Sequence, residues 1–216
     1  MRMSILQMIY VAVGVVLMTI LVTAIVAIVL FVMSAFSPTL AHADTFRPSR
    51  VRMLTHSTQQ FNDELSASWH FIPAPNLLDE VAPVTYGCLD WTPTPTLTIS
   101  PTIGWSFKSD EPIVSLRLTH KIGKFWGWID LEEKPRSQTF YFFAQGEYKL
   151  TDFLHIGAEE ESWGDIRHLG VASHGAGPNL LLRFGKSVGA DTAIHFRSVG
   201  GGATKPEFFF RYHLFF

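Results

Sequence analysis

The sequence predicts an all-β chain: an antiparallel up-and-down transmembrane β-barrel of about eight strands over residues 94–216, preceded by an apolar N-terminal leader. Three observations predict it. After Pro95 apolar residues recur with period two, in runs separated by turn residues, and no 3.6-residue period appears. The two faces so defined differ in kind, one aliphatic and aromatic, the other mixed in charge. The connections alternate in length along the chain, as they do when one end of a barrel carries tight turns and the other loops.

The strands are expected at 95–107, 112–121, 123–132, 138–150, 153–161, 174–184, 189–198 and 206–216. Their apolar face collects Val114, Leu116, Leu118, Ile129, Leu131, Phe140, Phe142, Leu180 and Phe196, among others. A band rich in Phe, Leu and Ile suits lipid, and runs of this length suffice to cross a bilayer at a tilt. The opposite face carries Arg117, Glu147, His155, Glu159, Arg183, Asp191, His195, Arg197, Arg211 and His213. A solvated face of a soluble sandwich is usually dominated by Lys and Glu. This mixture of Arg, Asp, Glu and His is suited instead to mutual pairing in a narrow lumen, which it would fill and close to conduction. Closure is required in lipid, where an open sheet edge leaves backbone groups unpaired. The connections His120–Lys124, Lys149–Asp152 and Gly185–Gly189 are short. On the opposite side, Ser162–Ser173 and Val199–Lys205 are longer.

Composition agrees. Charged residues are 17% of the chain and aromatics 13%, with 18 Phe, so a large apolar surface must meet something other than water. A net charge of −2 gives no basic field for nucleic acid. The single cysteine, Cys88, can form no internal disulfide.

Ahead of the barrel, residues 1–43 are read as a signal peptide or a membrane anchor. Ile5–Phe36 is almost continuously apolar, which exceeds a normal signal core and is enough to span a bilayer. Arg2 and the small-x-small site Ala41-His42-Ala43 suit cleavage after Ala43. Residues 44–93 hold repeated prolines and are read as a periplasmic linker, with one possible strand at Glu64–Ile72, where Leu65, Ala67, Trp69 and Phe71 alternate.

The last strand carries a resemblance. Phe208, Phe210, Tyr212, Leu214 and the terminal Phe216 resemble the C-terminal signal of bacterial outer-membrane β-barrel proteins, a terminal Phe with apolar residues at alternate positions before it. The resemblance implies outer-membrane lipid as surroundings, the barrel-assembly machinery as partner, and a structural role or surface binding through the Ser162–Ser173 loop. It implies no cofactor.

Two other functions stay open. Some small outer-membrane barrels are lipid A deacylases, with a His, a Ser two residues on and a downstream acid. His195, Ser198 and Glu207 stand in the corresponding region, but Ser198 is three residues from His195 and on a regular strand faces the other side. An inner-membrane-anchored periplasmic barrel of lipocalin-like type would need the reverse polarity, an apolar lumen. No H-E-x-x-H motif is present, so no metal is assigned. Glu159-Glu160-Glu161 reads as a charged strand end entering solvent rather than a Ca²⁺ site, and Gly200-Gly201-Gly202 as an external loop. Trp126 and Trp128 suit either an interfacial belt or the lumen.

Overall fold

The computed structural model describes residues 50–73, 76–78, 82–167 and 170–216. The leader expected over 1–43 and the cleavage expected near Ala43 lie outside the described residues. Eleven strands follow in order: β1 (Arg50–Gln60), β2 (Leu65–Ile72), β3 (Val84–Thr94), β4 (Leu97–Ser106), β5 (Glu111–Ile122), β6 (Phe125–Lys134), β7 (Thr139–Lys149), β8 (Leu154–Asp165), β9 (Gly170–Phe184), β10 (Val188–Val199) and β11 (Lys205–Phe215). Each pairs antiparallel with the next, and β1 pairs parallel with β11, so the sheet closes into a barrel.

The expected eight strands correspond to β4–β11, and the count of about eight is corrected to eleven. The additional three come from the segment read as a linker. Of these, β2 coincides with the alternating stretch at Glu64–Ile72. β1 was hidden because its outer face fades from Val51 and Met53 to Thr55, Ser57 and Gln59. β3 was hidden because its inner face is also apolar: Val84, Tyr86 and Cys88 pack with Ile113 and Ile72 inside the wall, so no alternation of polarity survives. Pro93 sits within β3 near its end, beside a register shift between Trp91 and Thr94. Proline is tolerated in a sheet at such irregularities.

The tight turns form where the chain can take them. β5 and β6 are joined through Gly123-Lys124, with Ile122 opposite Phe125. Gly123 has φ +57°, the positive value a two-residue hairpin demands of its first central residue. At the other end the longest connection is 73–83, between β2 and β3. The long loop expected at Ser162–Ser173 is mostly strand, because β8 continues to Asp165 and β9 begins at Gly170. The sequence Gly-Val-Ala-Ser-His-Gly-Ala-Gly has little strand preference of its own. Ladders to β8 and β10 on its two sides hold it in the sheet, with one bulge at Trp163/Gly164.

Side chains sort as alternation dictates. Large apolar residues stand outside, Ile103 71% exposed and Phe196 55%. Charged residues are buried within, His195 at 1% and Glu161 at 2%. Trp128 is inside, its Nε1 donating to Gln145 Oε1 at 2.8 Å.

Some inner positions have room for hydrogen alone. A Cβ on Gly177 would lie 1.8 Å from the Ile194 carbonyl oxygen on β10. Backbone must move to admit it, so Gly177→Ala is expected to destabilise the barrel by roughly 1–3 kcal/mol or more. Urea unfolding in detergent micelles measures this, and a wild-type midpoint would refute the close approach of β9 and β10.

Candidate functional site

The interior is an ion-paired network built from strands on every side. An isolated charge placed there would be costly, so each must find a partner of good geometry. Glu161 on β8 is one hub. Arg50 donates to it from Nη1 at 3.0 Å and Nη2 at 2.5 Å, Arg52 from Nη2 at 3.3 Å, and Tyr141 Oη at 2.9 Å. Arg197 Nη2 also donates to Glu161, while its Nε donates to Glu207 and its Nη1 to Ser173 Oγ. The Arg197 guanidinium lies 4.4 Å from the Trp163 ring centre, where cation–π attraction adds to the pairing.

Arg211 is the second hub. Its Nε donates to Asp191 Oδ1 at 2.6 Å and its Nη2 to Glu159 Oε2. Glu159 Oε1 lies 2.7 Å from His195 Nε2, and Asp191 Oδ2 lies 2.7 Å from His213 Nε2. From His213 a line of imidazoles crosses the closing seam. His213 Nδ1 is 3.3 Å from His56 Nε2, and His56 Nδ1 is 2.6 Å from His70 Nδ1. His70 Nε2 then meets Arg117 Nη1 at 3.2 Å, and Arg117 pairs with Asp130 at 2.7 Å. Glu147 is held by Gln145, Asn179 and His155.

All ten residues assigned to the lumen from the sequence therefore lie on the inner face, and nine join this network through hydrogen bonds. Arg183 lies against the Phe215 ring at 4.9 Å, and its buried Nε has no hydrogen-bond partner among the described residues. Sequence reasoning missed Arg50, Arg52, His56 and His70, all on β1 and β2. The spacing Arg50, Arg52, Leu54, His56, two residues apart throughout, was the signal available.

The residues considered for catalysis are not brought together. His195 faces inward, whereas Ser198 donates its Oγ proton outward to the Gly202 carbonyl at 2.9 Å. Glu207 faces His195 across the ladder but is held by Arg197 and Arg50. A different trio stands on the outer wall: Ser162 Oγ is 2.9 Å from His174 Nδ1 and 2.5 Å from Glu160 Oε1, and Nδ1 is 3.0 Å from the same Oε1. A serine relay needs one imidazole nitrogen for the hydroxyl and the other for the acid. Here both neighbours meet Nδ1, which is a carboxylate accepting from two donors and not a relay.

Glu159 and Glu161 are not a strand end entering solvent, as expected from the sequence. They point inward and hold guanidiniums, while Glu160 points outward. Among the described residues no group of three or more His, Cys, Asp or Glu is disposed to hold a metal ion.

The network leaves a cavity of about 310 Å³ inside the barrel. It extends from the His56, His70 and His213 cluster to Lys134, the last residue of β6, and includes the faces of Tyr86, Tyr141 and Trp163. The fold and its interior define a closed β-barrel with an apolar outside and an ion-paired inside. No protein-family model, curated protein or solved structure matches the chain.

Proposed function

We propose that this chain is a bacterial outer-membrane β-barrel protein with a structural or surface-interaction role, its lumen closed to conduction by paired side chains. The observation that carries the proposal is the inversion of polarity: large apolar residues cover the outside, and Arg, Asp, Glu and His fill the inside. In water that arrangement exposes large apolar side chains on nine of the eleven strands, β2 to β10. In lipid it is the favourable one, because the backbone of a closed barrel is internally paired. Ten of the eleven strands have 10 to 15 residues, long enough to cross, and β2 has 8.

The alternation of β11 supports an assembly role for this strand. Phe208, Phe210, Tyr212 and Leu214 share one face, and Phe209 and Arg211 are buried on the other. The barrel-assembly machinery is the proposed partner, after export with cleavage near Ala43. An odd strand count departs from the even number usual in bacterial single-chain barrels, and the parallel β1–β11 seam is how an odd number closes. The lipocalin-like alternative calls for an apolar interior, opposite to the one described. The deacylase alternative calls for His195 and Ser198 on one face.

Membrane fractionation with gel electrophoresis tests the proposal. The expected result is an outer-membrane band that migrates faster unboiled than boiled. A soluble or inner-membrane band without a mobility shift would refute it.

A further inference from the structure

The interior cavity carries an inference that needs only the closed barrel and holds whatever surrounds the wall. Nine Arg, Lys, Asp and Glu residues line it. Seven are matched among themselves: Arg50 and Arg52 share Glu161, Arg117 takes Asp130, and Arg211 takes Asp191. The two left over are Glu132 and Lys134. Glu132 accepts from the neutral Tyr86 hydroxyl at 3.1 and 3.3 Å; the field of Arg117 and Lys134 reaches it, but among the described residues no cation stands within ion-pair distance. Lys134 makes no ion pair or hydrogen bond among the described residues.

These two charges are opposite in sign and two residues apart on β6, so both stand on its inner face. Their backbone positions are separated by roughly 7 Å along the strand. A carboxylate has about four acceptor sites, and Tyr86 supplies one proton. The remaining lone pairs are available to a molecule in the cavity, and Lys134, which also lines it, can turn its ammonium to the same molecule. A volume of about 310 Å³ is that of a small-ligand site and cannot take a pair of acyl chains.

We infer that the cavity binds a small zwitterion, its ammonium on Glu132 and its anionic group on Lys134. A ligand with one charge would satisfy one of the two residues and leave the other. A ligand with both charges, separated by a short aliphatic link, completes the pairing that every other charge lining the cavity already has. The rings of Tyr86, Tyr141 and Trp128 supply apolar contact for the link. Phosphoethanolamine has this chemistry, which a lipid headgroup and a free solute share.

The test is a calorimetric titration of the full chain in detergent micelles with phosphoethanolamine, with ethanolamine and inorganic phosphate as single-charge controls. Saturable binding is expected for phosphoethanolamine, at least tenfold tighter than for either control. Glu132→Gln and Lys134→Gln keep side-chain size, and each is expected to weaken binding tenfold or more while the β-sheet circular dichroism spectrum is retained. If lysophosphatidylethanolamine below its micellar concentration competes, the ligand is a lipid headgroup; if it does not, the ligand is the free solute. Absence of saturable binding would overturn the inference. So would controls that bind equally well, or wild-type affinity in both variants.

Discussion

Glu161→Gln is expected to destabilise the barrel by about 3–5 kcal/mol, the cost of breaking a buried ion pair from one side. The substitution keeps the volume of the side chain, so no cavity forms and packing around Tyr141 persists. What it removes is the one negative charge shared by Arg50, Arg52 and Arg197. Arg50 and Arg197 retain Glu207 as a second partner, which keeps the loss within the range for a single partner. The guanidiniums cannot escape by losing a proton. The deficit is therefore expected to be flat between about pH 5 and pH 8. Urea unfolding in micelles, followed by tryptophan fluorescence, measures it. Glu160→Gln is the control: Glu160, next to Glu161 on the strand, faces outward, and about 1 kcal/mol or less is expected. Equal midpoints for the two variants would mean that Glu161 is no hub.

The closed barrel was legible in the sequence wherever one face was apolar and the other charged. β5 to β11 satisfy that condition, β4 meets it with Ser and Thr in place of charge, and their ends agree with expectation to within about four residues. Parity then assigned Arg117, Glu159, His195 and Arg211 to the inside without knowledge of their partners. Partners were not legible, because they depend on register and on how the sheet rolls up. Glu161 meets Arg50 across 111 residues of chain, and nothing local in either segment announces it. The missed strands share a cause: β1 has a weak outer face and β3 has two apolar faces, so a test of contrast between faces fails on both. The cavity was illegible for a related reason. Its two unmatched charges are recognised only after every other charge has been matched.

The odd strand count also shapes the network. The closing seam is parallel, a pairing slightly weaker per residue than an antiparallel one. Seven residue pairs join β1 to β11, from Arg50–Phe209 to His56–Phe215. Side chains reinforce it at both ends: Arg50 of β1 lies over the Phe209 ring of β11 at 4.1 Å, and His56 of β1 meets His213 of β11. Polar residues thus contribute to closure as well as to filling the lumen.

Arg211→Met is expected to cost a similar 3–5 kcal/mol near neutral pH, but with a dependence on acidity that Glu161→Gln lacks. Arg211 is the cation shared by Glu159 and Asp191, whose side chains are 0% and 2% exposed. Methionine fills much of the same space and leaves two buried carboxylates with only His195 and His213 as partners. Unlike guanidiniums, buried carboxylates left without their cation can be neutralised by taking up protons. The folded variant then binds more protons than its unfolded chain. Under linkage, stability rises as pH falls wherever the folded state holds the excess of protons. The deficit relative to the wild type is therefore expected to be greatest near pH 8 and to shrink towards pH 5. Unfolding curves for both proteins across that interval measure it. A deficit that stays constant with pH would mean that Arg52 or Arg197 has moved to take the two carboxylates, and the interior would then be a network able to re-pair and not a fixed set of partners.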